Sequence, residues 1–178
     1  MPRAQSDTKA EIQAVALELF ARQGFDKTSL REIAERLNIT KAALYYHFPS
    51  KDALLAELAQ PMIDDLERFF AVARECGPGE ARSVFERYLE VCFRHRQLMQ
   101  GMLRDPAVHA RLNVLTEVLY QRLDVDRALV GSDLPADRVR AIIAFGGLQD
   151  CVMLLGDEPL ESYRAAAVDA ALRALHEG

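Results

Sequence analysis

Residues 40–50 of the chain read TKAALYYHFPS, and this segment carries the strongest structural signal in the sequence. On a helical projection Leu44 and Phe48 lie one turn apart, which predicts a short helix with one buried face. Tyr45 and Tyr46 then point away from that face. Two neighbouring exposed tyrosines are unusual on an ordinary solvated surface, so we expect this helix to contact a partner.

A tight turn and a second short helix precede this segment. Asn38 tolerates a left-handed backbone, and Thr40 is a favoured capping residue for the helix that follows it. The helix ahead of the turn begins with a capping box of Ser29 and Glu32. Together the two helices form a helix-turn-helix over residues 29–48, a motif whose second helix enters the major groove of DNA.

Helical periodicity continues through the rest of the chain. A first helix is predicted over residues 9–23, started by a Thr8–Glu11 capping box and stopped by Gly24. A fourth runs from residue 51 toward Cys76, and Pro61 is expected to kink or restart it. Further helices are predicted over residues 80–95, 98–103, 106–130, 136–155 and 160–175, the third of them started by Asp105–Pro106. The pattern therefore predicts an all-α fold of about nine helices.

Composition excludes several classes of protein. The chain has 178 residues, half of them hydrophobic, and no run approaches the roughly 18 apolar residues of a membrane span. The first residues lack the apolar core of a secretory signal, which predicts a cytoplasmic location. Three widely spaced cysteines follow neither a disulfide framework nor a metal-ligand pattern, so no metal or cofactor is expected.

The net charge of −5 is unusual for a DNA-binding protein, because a basic surface is the common electrostatic footprint. The acidic excess is confined to one part of the chain. Residues 1–60 hold eight basic and eight acidic side chains, whereas residues 61–178 hold fourteen basic and nineteen acidic ones. Residues 1–60, which contain the helix-turn-helix, are therefore electrically balanced, and the prediction of DNA binding depends on the arrangement of the residues.

The segment Leu44–Lys51, followed by Ala53-Leu54-Leu55, resembles the signature of the TetR family of bacterial regulators, and the resemblance extends in register from residue 8 to about 58. It implies an N-terminal three-helix DNA-binding domain over residues 8–60 and a larger helical dimerisation and ligand-binding domain over residues 61–178. It implies a homodimeric transcriptional regulator, most simply a repressor, rather than an enzyme. Its partner would be a double-stranded, palindromic operator DNA.

The resemblance also implies residue roles at the DNA surface. Hydroxyl and charged groups reach phosphate oxygens, while small side chains approach base edges and thymine methyl groups. The implied phosphate contacts are Thr28, Tyr45, His47 and Lys51. The implied base-facing residues are Arg31, Lys41, Ala42, Ala43 and Tyr46, with Thr40 as the cap at the same surface.

The helix over residues 136–155 is apolar on nearly all sides, so it must be covered on more than one face. A second copy of the chain is the expected cover, through a four-helix interface formed by the last two helices of each subunit. A helix central to its own core is the alternative. The expected interface residues are Ile142, Phe145, Gly146, Val152, Ala167 and Ala171.

The middle helices mix aromatic residues and methionines with a few polar side chains, a composition that suits a ligand cavity as well as an ordinary core. The family resemblance implies a small-molecule effector bound there. The candidate ligand-binding residues are Phe93, Met99, Met102, Leu115, Leu119 and Gln149.

Two alternatives stay open at this point. One is a regulator of the same fold that activates genes or responds to no ligand. The other is an all-helical enzyme with Cys92, His95, Asp105 and His109 as catalytic or metal-binding groups. No HExxH pattern or recognisable nucleophile motif supports the enzyme.

Overall fold

The computed structural model describes residues 5–105, 108 and 114–176, and in these ranges it contains nine α-helices and no strand. A short 3-10 turn, Pro78–Glu80, lies between the fourth and fifth helices. The helices are α1 Gln5–Gln23, α2 Leu30–Arg36, α3 Lys41–His47, α4 Lys51–Ala73, α5 Ala81–Arg94, α6 Arg96–Arg104, α7 Val114–Val130, α8 Pro135–Leu154 and α9 Leu160–His176. The all-α prediction is confirmed. The predicted helix start at Pro106 lies outside the described residues.

The chain divides into two compact units. The first unit holds Met1–Pro61 together with Gln97–Asn113, and the second holds Met62–Arg96 and Val114–Gly178. The first boundary lies within α4, close to where the sequence analysis divides the chain. The segment from residue 97 to 113 differs from that analysis, which assigns it to the C-terminal part.

Local capping determines where α2 and α3 begin. The Ser29 hydroxyl accepts a hydrogen bond from the Glu32 backbone nitrogen at 3.1 Å, and the Thr40 hydroxyl accepts one from the Ala43 nitrogen at 3.1 Å. Between the two helices Asn38 adopts a φ of 52°, the left-handed backbone that the turn requires. The helix-turn-helix predicted from these residues is therefore present.

The ends of α1 confirm one prediction and correct another. Gly24 adopts a φ of +89° and its nitrogen donates to the Phe20 carbonyl at 3.0 Å, so glycine terminates the helix as expected. The helix begins at Gln5, however, and not at the predicted Thr8 cap. Thr8 lies within the first turns because the polar residues before it continue the helix.

Helix α4 continues through Pro61 to Ala73. Of the expected kink or restart at Pro61, the restart does not occur, although the proline ring removes one backbone hydrogen-bond donor. The helix also stops short of Cys76, whose nitrogen instead donates to the Ala73 carbonyl at 3.2 Å in a turn. One continuous helix therefore contains the boundary between the two units.

The first unit encloses a core formed by α1 to α4 and the segment that begins at residue 97. Gly101 of α6 shows how closely this segment packs, since a Cβ placed there would lie 3.1 Å from the Phe20 carbonyl oxygen of α1. Just beyond α6, the Asp105 carboxylate accepts a hydrogen bond from the Asp26 nitrogen at 2.7 Å. The large side chains buried in this core include Ile12, Phe20, Phe25, Ile33, Leu44, Phe48, Leu54 and Leu55.

In the second unit α8 packs along α9 and against α5 and α7. Aromatic rings fill the centre: the Phe145 ring meets the Phe85 ring at 5.1 Å and the Tyr88 ring at 4.9 Å between centroids, both edge-on. The Tyr88 hydroxyl donates to the Gln149 side-chain oxygen at 3.0 Å. Among the described helices, none combines the length and hydropathy that a membrane crossing requires.

A buried carboxylate links α4 to the end of α5 within the second unit. Asp65 receives hydrogen bonds from Arg68 at 2.5 Å, Arg94 at 2.7 Å and the His95 ring nitrogen at 2.8 Å. The His95 hydrogen bond, together with Arg94, holds the pKa of Asp65 below its ordinary value despite burial. This network therefore stabilises the fold in the ionised state of Asp65.

Asp126 on α7 is a second buried carboxylate, with a different environment. Its side chain is fully buried, and neither oxygen has a hydrogen-bond partner among the described residues. The nearest cation is the Arg122 guanidinium, 3.8 Å away. Burial raises the pKa of Asp126 to about 6, although Arg122 and Arg138 act in the opposite direction.

Candidate nucleic-acid interface

The exposed face of α3 carries the two tyrosines. Leu44 and Phe48 are fully buried in the first unit, whereas 51% of Tyr45 and 73% of Tyr46 are exposed. The buried pair therefore fixes the helix, and the opposite side presents both phenol rings to solvent. This is the placement that the sequence analysis requires of a recognition helix.

Other α3 residues share this exposed surface. Lys41 and Ala42 are exposed, and Ala43 and His47 are half-buried. The His47 ring lies edge-on to the Tyr46 ring at 5.4 Å between centroids, which restrains the orientation of the phenol. A short helix with small residues beside two phenols can approach base edges closely.

Arg31 on α2 and the Thr40 cap are also exposed, but each already has a partner. The Arg31 guanidinium contacts the Glu35 carboxylate at 2.6 Å, and that hydrogen bond raises the pKa of Arg31. Solvent screens such a fully exposed pair, so a DNA phosphate or base can displace Glu35. The Thr40 oxygen accepts from Ala43, which leaves its hydroxyl hydrogen available.

Thr28 does not fit the phosphate contact implied by the family resemblance. Only 1% of the residue is exposed. Its hydroxyl donates to the Gly24 carbonyl at 2.9 Å and accepts from the Gln23 amide at 3.2 Å. The side chain therefore fixes the loop between α1 and α2 and offers no donor to DNA.

Lys51 also differs from its implied role. Its ammonium group donates to the carbonyl oxygens of Phe25 at 2.7 Å, Thr28 at 2.9 Å and Asp26 at 3.3 Å. The same nitrogen lies 4.2 Å from the centre of the Phe25 ring. An ammonium group has three donors, and all three are engaged by this loop.

Lys27 is a cation that the sequence analysis did not select. It lies in the loop between α1 and α2, is exposed, and makes no ion pair with any other residue that the structure describes. Its position directly before Thr28 is the feature of the sequence that could have identified it as a candidate. Because Lys51 is engaged, Lys27 is the better candidate for a phosphate contact from this loop.

The six candidate ligand-binding residues do not come together within either unit. Met99 and Met102 belong to the first unit, and Phe93 and Gln149 to the second. Met102 is buried, the Phe93 ring is covered by the Arg96 guanidinium at 4.2 Å, and Gln149 accepts from Tyr88. The side chains of Leu115 and Leu119 lie outside the described part of the chain.

The expected dimer residues divide into covered and exposed groups. Phe145, Val152, Ala167 and Ala171 are buried within their own chain, so their side chains are not available to a second copy. Ile142 is 42% exposed, and Gly146 is half-buried. Exposed apolar residues form a stripe along α8 instead, Val139, Ile142, Ile143, Gly147 and Leu154, which the exposed Asp150 interrupts between Gly147 and Leu154.

The side chains considered for an enzyme each serve another purpose. Burial raises the pKa of the Cys92 thiol to about 12, which suppresses the reactive thiolate. His95 bonds Asp65, and Asp105 bonds the Asp26 nitrogen. His109 lies outside the described residues. Within the described ranges, no group of three or more His, Cys, Asp or Glu side chains could hold a metal ion.

The part of the chain that contains this exposed surface is similar to known proteins. Residues 12–58 match the family model described as bacterial regulatory proteins, tetR family. The chain is 30% identical to the HTH-type transcriptional regulator AcrR of Shigella flexneri over 66% of its own length, but spans only half of that protein. It is 28% identical to a probable acrEF/envCD operon repressor of Escherichia coli strain K12, over 93% of this chain and 86% of that protein.

Solved structures share the fold at low sequence identity. A transcriptional regulator of Aquifex aeolicus VF5 has a TM-score of 0.70 at 21% identity, covering 92% of this chain and 96% of that one. The ketosteroid transcriptional regulator KstR2 of Mycobacterium tuberculosis has a TM-score of 0.69 at 20% identity, covering 92% and 94%.

The two short helices α2 and α3, with the exposed face of α3 over its buried pair, have the arrangement of a helix-turn-helix motif. Residues 12–58, which match the tetR family model, contain the whole helix-turn-helix, and the chain is similar in sequence to proteins described as transcriptional regulators.

Proposed function

We propose that the chain acts as a homodimeric repressor that binds a near-palindromic operator and releases it when a small-molecule effector binds. The observation that carries the proposal is the pair of exposed phenols on α3, held over the buried Leu44 and Phe48. In this proposal residues 8–60 contact DNA and residues 61–178 form the dimer and the effector site. The segment beginning at residue 97 packs with the DNA-binding unit. In this proposal the protein acts on chromosomal DNA, so its expected location is the cytoplasm.

On the DNA, α3 lies in the major groove. Tyr46, which is 73% exposed, approaches base edges together with Lys41, Ala42 and Ala43. Tyr45 and His47 reach phosphates beside the groove, and Arg31 joins the base contacts from α2. Lys27 takes the phosphate contact that Lys51 is not free to make.

The dimer is supported by the exposed stripe on α8. Val139, Ile142 and Ile143 are between 42% and 58% exposed, and Leu154 is 77% exposed. Gly147 leaves a gap along the same stripe, which allows another helix to approach closely. Obligate interfaces of this kind commonly bury roughly 2,000 Å² or more. A two-fold dimer presents its recognition helices to half-sites about 34–36 Å apart, which predicts the palindromic operator.

Repression and effector release are supported by the family and by one relative described as a probable operon repressor. If the effector favours a conformation with low operator affinity, effector and operator must weaken each other's binding by the same factor. A metabolite that changes operator affinity therefore has its own affinity changed equally by operator DNA.

Selection of bound fragments from the host genome, followed by affinity measurements against salt concentration, tests the DNA-binding part. The expected result is a near-palindromic preference with a steep salt dependence. A reporter gene placed behind the best site should be silenced by the protein. Equal affinity for selected and scrambled fragments would refute the operator, and activation of the reporter would refute repression.

A further inference from the structure

A surface groove lies between α4 and α5 in the second unit, separate from the six candidate ligand-binding residues. Its volume is about 230 Å³. The apolar part of its lining includes Phe69 and Val72 from α4 with Val84 and Val91 from α5. Val72 is 51% exposed although it is apolar, so the groove presents apolar surface directly to solvent.

Positive charge dominates the polar lining of the groove. Three arginines, Arg68, Arg87 and Arg94, line it beside the apolar residues. Arg68 and Arg94 share one carboxylate, Asp65, so part of their charge and most of their N–H donors remain available. Arg87 makes no ion pair with any residue in the described ranges. The groove therefore combines an apolar floor with an excess of guanidinium groups over carboxylates in its lining.

The remaining acidic side chain in the lining is already neutralised. Glu90 contacts the Arg164 guanidinium of α9 at 2.5 Å. It therefore does not offset the charge of Arg87. Guanidinium groups bind carboxylates through paired N–H donors, and the apolar residues beside them suit an anion that carries a hydrocarbon chain, as an organic carboxylate does.

We propose that this groove binds a small amphipathic carboxylate whose chain lies on Phe69, Val72, Val84 and Val91 and whose head group contacts Arg87 and Arg94. The volume is below the roughly 300–1,000 Å³ of pockets for drug-sized ligands, so the occupant is a short-chain or medium-chain acid. Binding involves the second unit alone and does not depend on DNA binding.

Cys76 supplies a local reporter because it also lines the groove and is half-buried. Its thiol donates to the Val72 carbonyl at 3.6 Å. A carboxylate bound over Val72 covers this thiol. Alkylation of Cys76, followed peptide by peptide with mass spectrometry, therefore reports occupancy of this groove and not of another site.

The experiment uses octanoate as the probe, on the full chain without DNA. Octanoate at about ten times its Kd should slow alkylation of Cys76 about tenfold, because only the empty groove reacts. Octan-1-ol and octylammonium have the same chain without the negative charge and should protect much less. Equal protection by all three compounds, or none by octanoate, would overturn the proposal.

Two exposed positions test the two halves of the lining. Arg87→Gln should weaken octanoate protection about fivefold, since one exposed charge contact is lost. Val72→Asp places a carboxylate on the apolar floor and should abolish protection. Arg82→Gln is the matched control, an exposed arginine of α5 outside the groove. If Arg87→Gln and Arg82→Gln bind octanoate equally well, the head-group assignment is wrong.

Discussion

The Lys51 ammonium nitrogen lies 2.7 Å from the Phe25 carbonyl oxygen, to which it donates a hydrogen bond across the base of the helix-turn-helix. Two further carbonyls, of Asp26 and Thr28, complete its set of acceptors. The first turn of α4 is thereby tied to the loop that precedes α2. Through these contacts Lys51 holds the proposed DNA-binding surface in position, and it has no donor left for a phosphate.

Replacing Lys51 with methionine should therefore destabilise the chain without removing a phosphate contact. We expect a loss of about 2 kcal/mol in the free energy of unfolding, as for hydrogen bonds to a charged group, and weaker operator binding. The slope of log K against log salt concentration should stay unchanged, since no counterion is released at this residue. Lys27→Met is the control, which should make the slope shallower because Lys27 is the proposed phosphate contact of this loop. A shallower slope for Lys51→Met would restore the phosphate role.

Tyr46→Ala should change which DNA sequences are preferred while leaving the fold intact. The residue is 73% exposed, so its removal should alter the free energy of unfolding by less than about 0.5 kcal/mol. Discrimination at the contacted base pair should fall by about 1–3 kcal/mol in a selection from randomised operators. Tyr45→Phe, which removes a hydroxyl next to the phosphates, should weaken all sequences alike. An unchanged preference for Tyr46→Ala would contradict base contact.

Ile143→Asp should dissociate the proposed dimer. A charge in the middle of the exposed stripe on α8 would be buried without a partner on association, whereas the single chain leaves it solvated. Analytical ultracentrifugation should show a monomer, and operator affinity should fall because one half-site is lost. Val72→Asp, at an equally apolar and exposed position on α4, should stay dimeric. If the Ile143→Asp variant is still a dimer, the interface does not lie on this stripe of α8.

Asp65→Asn should lower stability most at neutral pH. The pKa of Asp65 is lowered in the fold, so the folded chain binds fewer protons than the unfolded chain in acid, and stability is lost as pH falls below about 4. At pH 7 the free energy of unfolding of the variant should be about 2 kcal/mol lower than that of the parent. This difference should become smaller in acid. Urea titrations across pH measure it, with the exposed Glu67→Gln on the same helix as control. If the difference in free energy of unfolding between parent and variant did not change with pH, the ionised form of Asp65 would contribute nothing to stability.

Asp126→Asn should show the opposite dependence. The pKa of Asp126 is raised to about 6, so the folded chain binds more protons than the unfolded chain between about pH 4 and 6, and stability decreases as pH rises through that range. The amide avoids this cost. The variant should gain about 1 kcal/mol over the parent at pH 7.5 and little at pH 4.5. The exposed Asp124→Asn serves as control, and a variant less stable than the parent at pH 7.5 would refute the argument.

The sequence predicted those features that depend on local chemistry. The cap at Thr40, the left-handed Asn38 and the buried pair Leu44 and Phe48 are each determined within a few residues, and these positions also determine which side of α3 is exposed. The outward placement of Tyr45 and Tyr46 followed from the same helical geometry.

Features that depend on tertiary packing could not be predicted from the sequence. The Lys51 ammonium group donates its hydrogen bonds to carbonyl oxygens more than twenty positions earlier in the chain. Residue spacing in the sequence does not predict contacts of this kind. Helix α8 is apolar on nearly all sides, so periodicity could not distinguish the side covered by α9 from the side that carries Ile143. For the same reason Phe145 was expected at the interface although it lies in the core.

The chain leaves the first unit within α4 and returns to it at residue 97, where Gly101 lies against Phe20 and Asp105 receives the Asp26 nitrogen. A transplant of residues 1–61 onto another regulator would therefore carry an incomplete module. A chimera that keeps this unit intact must take both stretches from the same parent.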